Sequence, residues 1–101
     1  MKQLSAVIQP HVLSSVVRAL YELPHRRGRG AGGAYKVTED SIAYHRKSLL
    51  QTTCADHVEP SITETIQKSA QTGNPGDGFI VVTEVAEVIR IRTGEKQDRA
   101  L

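Results

Sequence analysis

Between Thr72 and Gly78 the chain places three glycines, a proline and an aspartate in seven residues, and the next four, Phe79 to Val82, are all apolar. The first group cannot continue a helix, and the apolar run reads as a buried, central strand. Just upstream, Val58, Ile62, Ile66 and Ala70 recur at four-residue steps, which is the buried stripe of a helix. Asp56 and Glu59 are spaced as a capping pair at its start, and Gly73 supplies its stop. A helix delivered through a glycine loop into an apolar strand rules out all-helical and all-strand architectures. The chain is therefore expected to be a mixed α/β domain.

The rest of the sequence fills in around that junction. Residues 2–9, "KQLSAVIQ", partly alternate and end in an apolar run, as a strand does before Pro10 stops its pairing. From His11 onward Val12, Leu13, Val16, Val17, Leu20 and Leu23 repeat at helical spacing, up to Pro24. "HRRGRGAGGAY", residues 25–35, has four glycines, three arginines and no apolar period, and predicts an exposed, flexible loop reaching to about Tyr44. Residues 47–55 read as a strand, and Ile89 to Arg92 as another short one after the apolar run. The order of elements fits a ferredoxin-like βαββαβ sandwich, an α+β fold. Such a fold needs a strand directly after the first helix, where Pro24 instead runs into "HRRGRG"; the second strand is missing or displaced. With 101 residues and 39% hydrophobic content, one domain spanning 1–101 is expected, with a flexible loop at about 25–45 and a loose tail at about 96–101.

Charge and chemistry narrow the function. Thirteen basic and 11 acidic residues leave a net charge of +2, too little for a protein whose main work is neutralising phosphate backbones, so nucleic acid is not the expected partner. A single cysteine, Cys54, excludes an intrachain disulfide and a paired-cysteine metal site, and favours a reducing, cytoplasmic setting. No stretch reaches the length of a membrane span. His11, His25, His45 and His57 never fall at ligand spacing, so no metal site is assigned. Cys54 reads as a small buried hydrophobe, Ser14 and Ser15 lie inside the first helix, and Glu39 and Asp40 are adjacent loop carboxylates best explained by solvation. No catalytic residue is assigned. The chain reads as a non-enzyme.

Two features can bind anions. Gly73, Gly76 and Gly78 permit positive φ, so successive N–H groups can line one concavity and hold a phosphate. A plain tight connection, with Asn74-Pro75-Gly76 as a turn, explains the same loop equally well. If residues 89–92 are extended, Arg90 and Arg92 share a face with Cα atoms roughly 6.6 Å apart, and their planar forks of donors match the oxygens of a di- or triphosphate. The competing explanation is a solvated edge paired with Glu84, Glu87 and Glu95. "RRGRGAGG" leaves a further alternative: a small RNA-binding or protein-interaction module that uses this loop, with Tyr35 as the base-stacking partner.

Taken together, "TGNPGDGFIVVTEVAEVIRIRTGE" resembles the C-terminal signature of the P-II signal-transduction family, the small trimeric nitrogen-regulatory proteins. The first strand ending in proline, the first helix and "ADHVEPSITETIQKSA" extend the resemblance over most of the chain. It implies a ferredoxin-like homotrimer that binds ATP or ADP, with room for Mg²⁺, in clefts between subunits. Gly73, Gly76, Asp77 and Gly78 would face the nucleotide, and Arg90 and Arg92 its phosphates. It also implies a sensor that controls a protein partner, such as a transporter, an enzyme of nitrogen metabolism or another regulator, through its long loop. In this chain that loop carries Arg26, Arg27, Arg29, Tyr35 and Tyr44, and a membrane would be met only through a transporter. The chain departs from the family where Phe79 replaces the lysine that usually follows glycine-aspartate-glycine. It also lacks the loop glutamine associated with 2-oxoglutarate, although Lys47 stands where the family has a lysine facing that ligand. Neither tyrosine has the setting in which the family is uridylylated.

Overall fold

The structure, a computed structural model, describes residues 1–23, 36–42 and 45–101, with residues 36–42, His45 and Asp98 described by backbone alone. In chain order these form β1 (Lys2–Ile8), a 3-10 turn (Pro10–Val12) that leads into α1 (Leu13–Tyr21), β2 (Lys36–Ile42), β3 (His45–Cys54), α2 (Glu59–Ala70), β4 (Gly78–Glu84) and a final 3-10 turn (Gln97–Ala100). The strands make one antiparallel sheet in the order β2-β3-β1-β4, so the βαββαβ sandwich expected from the sequence is the fold.

Its core follows from two periodicities. In β1 every second residue, Leu4, Ala6 and Ile8, is buried, and in β3 the same holds for Ser48, Leu50, Thr52 and Cys54. Against this face α1 lays Val16 and Leu20, preceded by Val12, and α2 lays Ile62, Ile66 and Ala70. Val16, Leu20, Ile62 and Ile66 are essentially inaccessible to water, each contributing about 1.5–3 kcal/mol by burial. Polar pairs in register complete the sheet: on the opposite face Gln51 donates to Ser5 Oγ (3.1 Å), and at the start of β1, on the side of Leu4, Lys2 Nζ donates to both carboxylate oxygens of Glu84 (2.8 and 2.9 Å).

Several expectations are corrected. The second strand is displaced, not missing: β2 starts at Lys36 and pairs with β3 from Ile42↔His45 to Lys36↔Gln51. It therefore takes residues 36–42 out of the stretch 25–45 assigned to a loop. "KVTEDSI" is polar in its middle, and a strand at the edge of a sheet tolerates that because one side of it needs no partner. The apolar run of β4 lies at the other edge, and β1 takes the central place. No side chain caps α2. Asp56 instead sits 2.7 Å from the Met1 ammonium, whose hydrogen bond holds the carboxyl below the usual range, while Glu59 accepts from the Thr63 hydroxyl (2.7 Å). The helix ends at Ala70 with Gln71 already extended, before Gly73 is reached. Within the stretch 96–101, Gln97–Ala100 forms the last 3-10 turn. Among the described residues no helix is long and apolar enough to cross a membrane.

Candidate functional site

The site is set by register. β1 pairs Ile8 with Ser48 of β3 and with Gly78 of β4, so one further step places Gln9 between Lys47 on one side and Asp77 on the other. These three side chains brace the glycine loop. Lys47 Nζ donates to the carbonyl of Gly76, and Gln9 Nε2 donates to Asp77 Oδ1 at 3.2 Å. Asp77 then gathers the loop around itself, accepting from the amides of Thr72 (2.8 Å) and Gly73 (2.9 Å) and from the Thr72 hydroxyl. The hydroxyl bond first, and the amides with it, hold this carboxyl below its ordinary range. The amide of Asn74 in turn donates to Thr72 Oγ1 (3.2 Å).

Gly73, Gly76 and Gly78 all have positive φ, at 88°, 95° and 100°. For Gly78 there is also no room, because a Cβ would lie 1.7 Å from the carbonyl oxygen of Val7. The loop's amides are divided. Those of Thr72, Gly73 and Asn74 are used internally, whereas those of Gly76 and Asp77 donate to no described residue. Beside the loop, between α2 and the β1–β4 pair, opens a cavity of about 430 Å³. Ile8, Ile66, Ala70 and Ile80 give it an apolar floor, Thr63, Gln67, Gln71 and Asp77 a polar rim, and Phe79 a largely exposed aromatic wall.

Arg90 and Arg92 are not on an extended strand. Residues 91–93 form a turn, closed by Arg90 N–H to Glu95 O (2.8 Å) and Gly94 N–H to Arg90 O (2.7 Å), and only Ile89 and Lys96 bridge as strand residues. Gly94, at φ 75°, permits this tight return. Arg90 is half-buried and Arg92 is exposed, and neither lines the cavity of its own chain. Arg26, Arg27, Arg29, Tyr35 and Tyr44 lie outside the described residues. Sequence reasoning missed Gln9, which carries no signal of its own and becomes visible only once the β1–β4 register is known. The rim residues Thr63, Gln67 and Gln71 were hidden for a similar reason, as polar positions on a helix whose apolar stripe alone was informative. Cys54 is fully buried, and desolvation first, with Glu59 second, pushes its thiol up to about 11. Among the described residues no three His, Cys, Asp or Glu side chains converge to hold a metal.

The glycine loop, the strand it starts and the arginine turn thus follow one another in one compact sheet domain. A sequence model of the family described as "Nitrogen regulatory protein P-II" matches residues 1–95. The chain belongs to the P-II family. Among its relatives are "Nitrogen regulatory protein P-II" of Klebsiella oxytoca, "Nitrogen regulatory protein P-II 1" of Escherichia coli K12 and "Nitrogen regulatory protein P-II" of Azospirillum brasilense. Each is 35% identical over 112 aligned positions that cover the whole of both chains. Because the alignment is longer than this chain, part of the P-II relatives' length has no counterpart here. Membership makes the protein a signal-transduction regulator of the P-II class, a class that works through protein partners.

Proposed function

We propose that this P-II protein is a non-catalytic sensor of adenine nucleotides, assembled as a homotrimer in the cytoplasm. It would bind ATP or ADP where the glycine loop of one chain meets the arginine turn of the next. The observation that carries the reading is the division of labour in the loop. Asp77 fixes its shape from inside, which leaves the Gly76 and Asp77 amides available to an anion beside a cavity with an apolar floor. Arg90 and Arg92 lie outside that cavity, and contribution from a neighbouring chain reconciles their position with a phosphate role. Mg²⁺ would enter with the phosphates of the nucleotide, since no described carboxylate cluster offers it a site. Phe79 removes a cation from the loop, so the two arginines would supply most of the charge. Occupancy would be passed to residues 26–44 and from there to a partner protein, a transporter, an enzyme or another regulator.

Calorimetric titration with ATP, ADP and AMP, with and without Mg²⁺, tests this. The wild type should take up about one nucleotide per chain, and an Arg90→Ala/Arg92→Ala double variant should bind at least tenfold more weakly, since each charged hydrogen bond is worth about 1.5–3 kcal/mol. Equal binding by the two proteins would overturn the assignment.

A further inference from the structure

The glycine loop offers an anion donors but little charge. Its two unused donors, the amides of Gly76 and Asp77, carry partial charges that suit about one phosphate group. Among the described residues lining the cavity beside them, Asp77 alone is ionisable. Its carboxyl accepts from the Thr72 hydroxyl and from the amides of Thr72 and Gly73, and is held in the charged form by them. The rim of the cavity is therefore already negative. Lys47 is turned inward, with its ammonium on the Gly76 carbonyl, and His11 acts on Asp77 only through space. Where the chain leaves the loop for β4, the side chain bordering the cavity is Phe79, 58% exposed and uncharged.

We infer that the site discriminates between nucleotides by charge and favours ADP over ATP, with Phe79 as the residue that sets the preference. This inference rests on the nucleotide reading given above. The loop amides and two arginines from the next chain share the charge of a diphosphate among them. A third phosphate brings one further negative charge to a rim that already holds the Asp77 carboxylate. The ring of Phe79 neither neutralises that charge nor donates a hydrogen bond to it, and the apolar floor of the cavity lets the repulsion act with little screening. A sensor built this way fills as ADP accumulates and is not saturated by ATP first.

Calorimetric titration of the full chain with ADP and with ATP tests the inference, without Mg²⁺ and at pH 8, where imidazole groups contribute little charge. ADP should bind roughly tenfold more tightly than ATP at about 50 mM salt, and the gap should narrow at about 500 mM as the repulsion is screened. Phe79→Lys, checked for folding by circular dichroism, puts an ammonium at the rim and should tighten ATP more than ADP, closing or reversing the gap. If the wild type binds ATP as tightly as ADP, the preference is refuted and the nucleotide site stands. An undiminished preference for ADP in a folded Phe79→Lys protein also refutes the inference, because charge at this position then does not set it. Should that variant fail to fold, the salt series decides, and a gap unaffected by salt refutes the inference. If neither nucleotide binds the wild type, the nucleotide reading itself is refuted and the preference falls with it.

Discussion

Gly78 and Gly73 look alike in the sequence and differ in what surrounds them. A Cβ on Gly73 meets nothing within 4 Å, so Gly73→Ala pays only for positive φ, about 1–2 kcal/mol. On Gly78 the Cβ would also strike the backbone of Val7, so Gly78→Ala must part β4 from β1 and should cost more than about 3 kcal/mol. Urea denaturation of both variants checks the contrast, and equal losses would contradict the β1–β4 register at its end. Cys54 gives a second prediction. Its folded thiol, pushed up to about 11, keeps a proton that the unfolded thiol releases from about pH 9.0. The unfolded state thus gains by ionising, and stability falls as pH rises from 9 to 11, by up to roughly 2–3 kcal/mol from this group. Denaturation curves between those pH values should show the decline, and Cys54→Ala, although less stable throughout, should flatten it.

At the scale of elements, the glycine loop behaves as an extension of the sheet. Gln9 and Lys47 reach it from β1 and β3, and Asp77 ties its N-terminal half. Asp77→Asn keeps an acceptor but loses the charge that draws both amides and the hydroxyl. Exchange of the Thr72 and Gly73 amides should then rise by on the order of tenfold, as expected when a charge-assisted bond becomes an ordinary one. Because this carboxyl is held low in the folded protein, its contribution is complete above the usual carboxylate range and lost as pH drops below it. The elements with strong periodicity, α1, α2 and β1, were legible from the sequence, since their apolar spacing directly reports burial. β2 was not, because a polar edge strand and a polar loop have the same composition. The arginine turn was misread for a different reason: "RIR" alternates like a strand, and the return at Gly94 is visible only in the hydrogen bonds that close it. In the site, the glycines and Asp77 stood out by composition, whereas Gln9 depends on pairing between strands far apart in the chain.

At the scale of the whole molecule, β4 and the arginine turn leave Phe79, Val81, Val82, Ile89 and Ile91 exposed, Ile91 almost completely. Such an apolar concentration along one edge of a sheet is a liability in a lone chain. Light scattering should therefore return the mass of three 11.1 kDa chains. Val81→Glu, which places a charge on the exposed part of β4, should shift the mass toward one chain, at a cost of about 2 kcal/mol or more for each contact that would bury it. A single-chain mass for the wild type would leave the arginines without the neighbour proposed for them. The sheet's order has one more consequence, for the making of the protein. β1 is made before the other three strands and lies inside the sheet, yet its partner at Lys2↔Glu84 is separated from it by 82 positions. The central strand stays unfinished until Gly78–Glu84 has been made and has left the ribosome, so the decisive step of folding is a slow long-range closure.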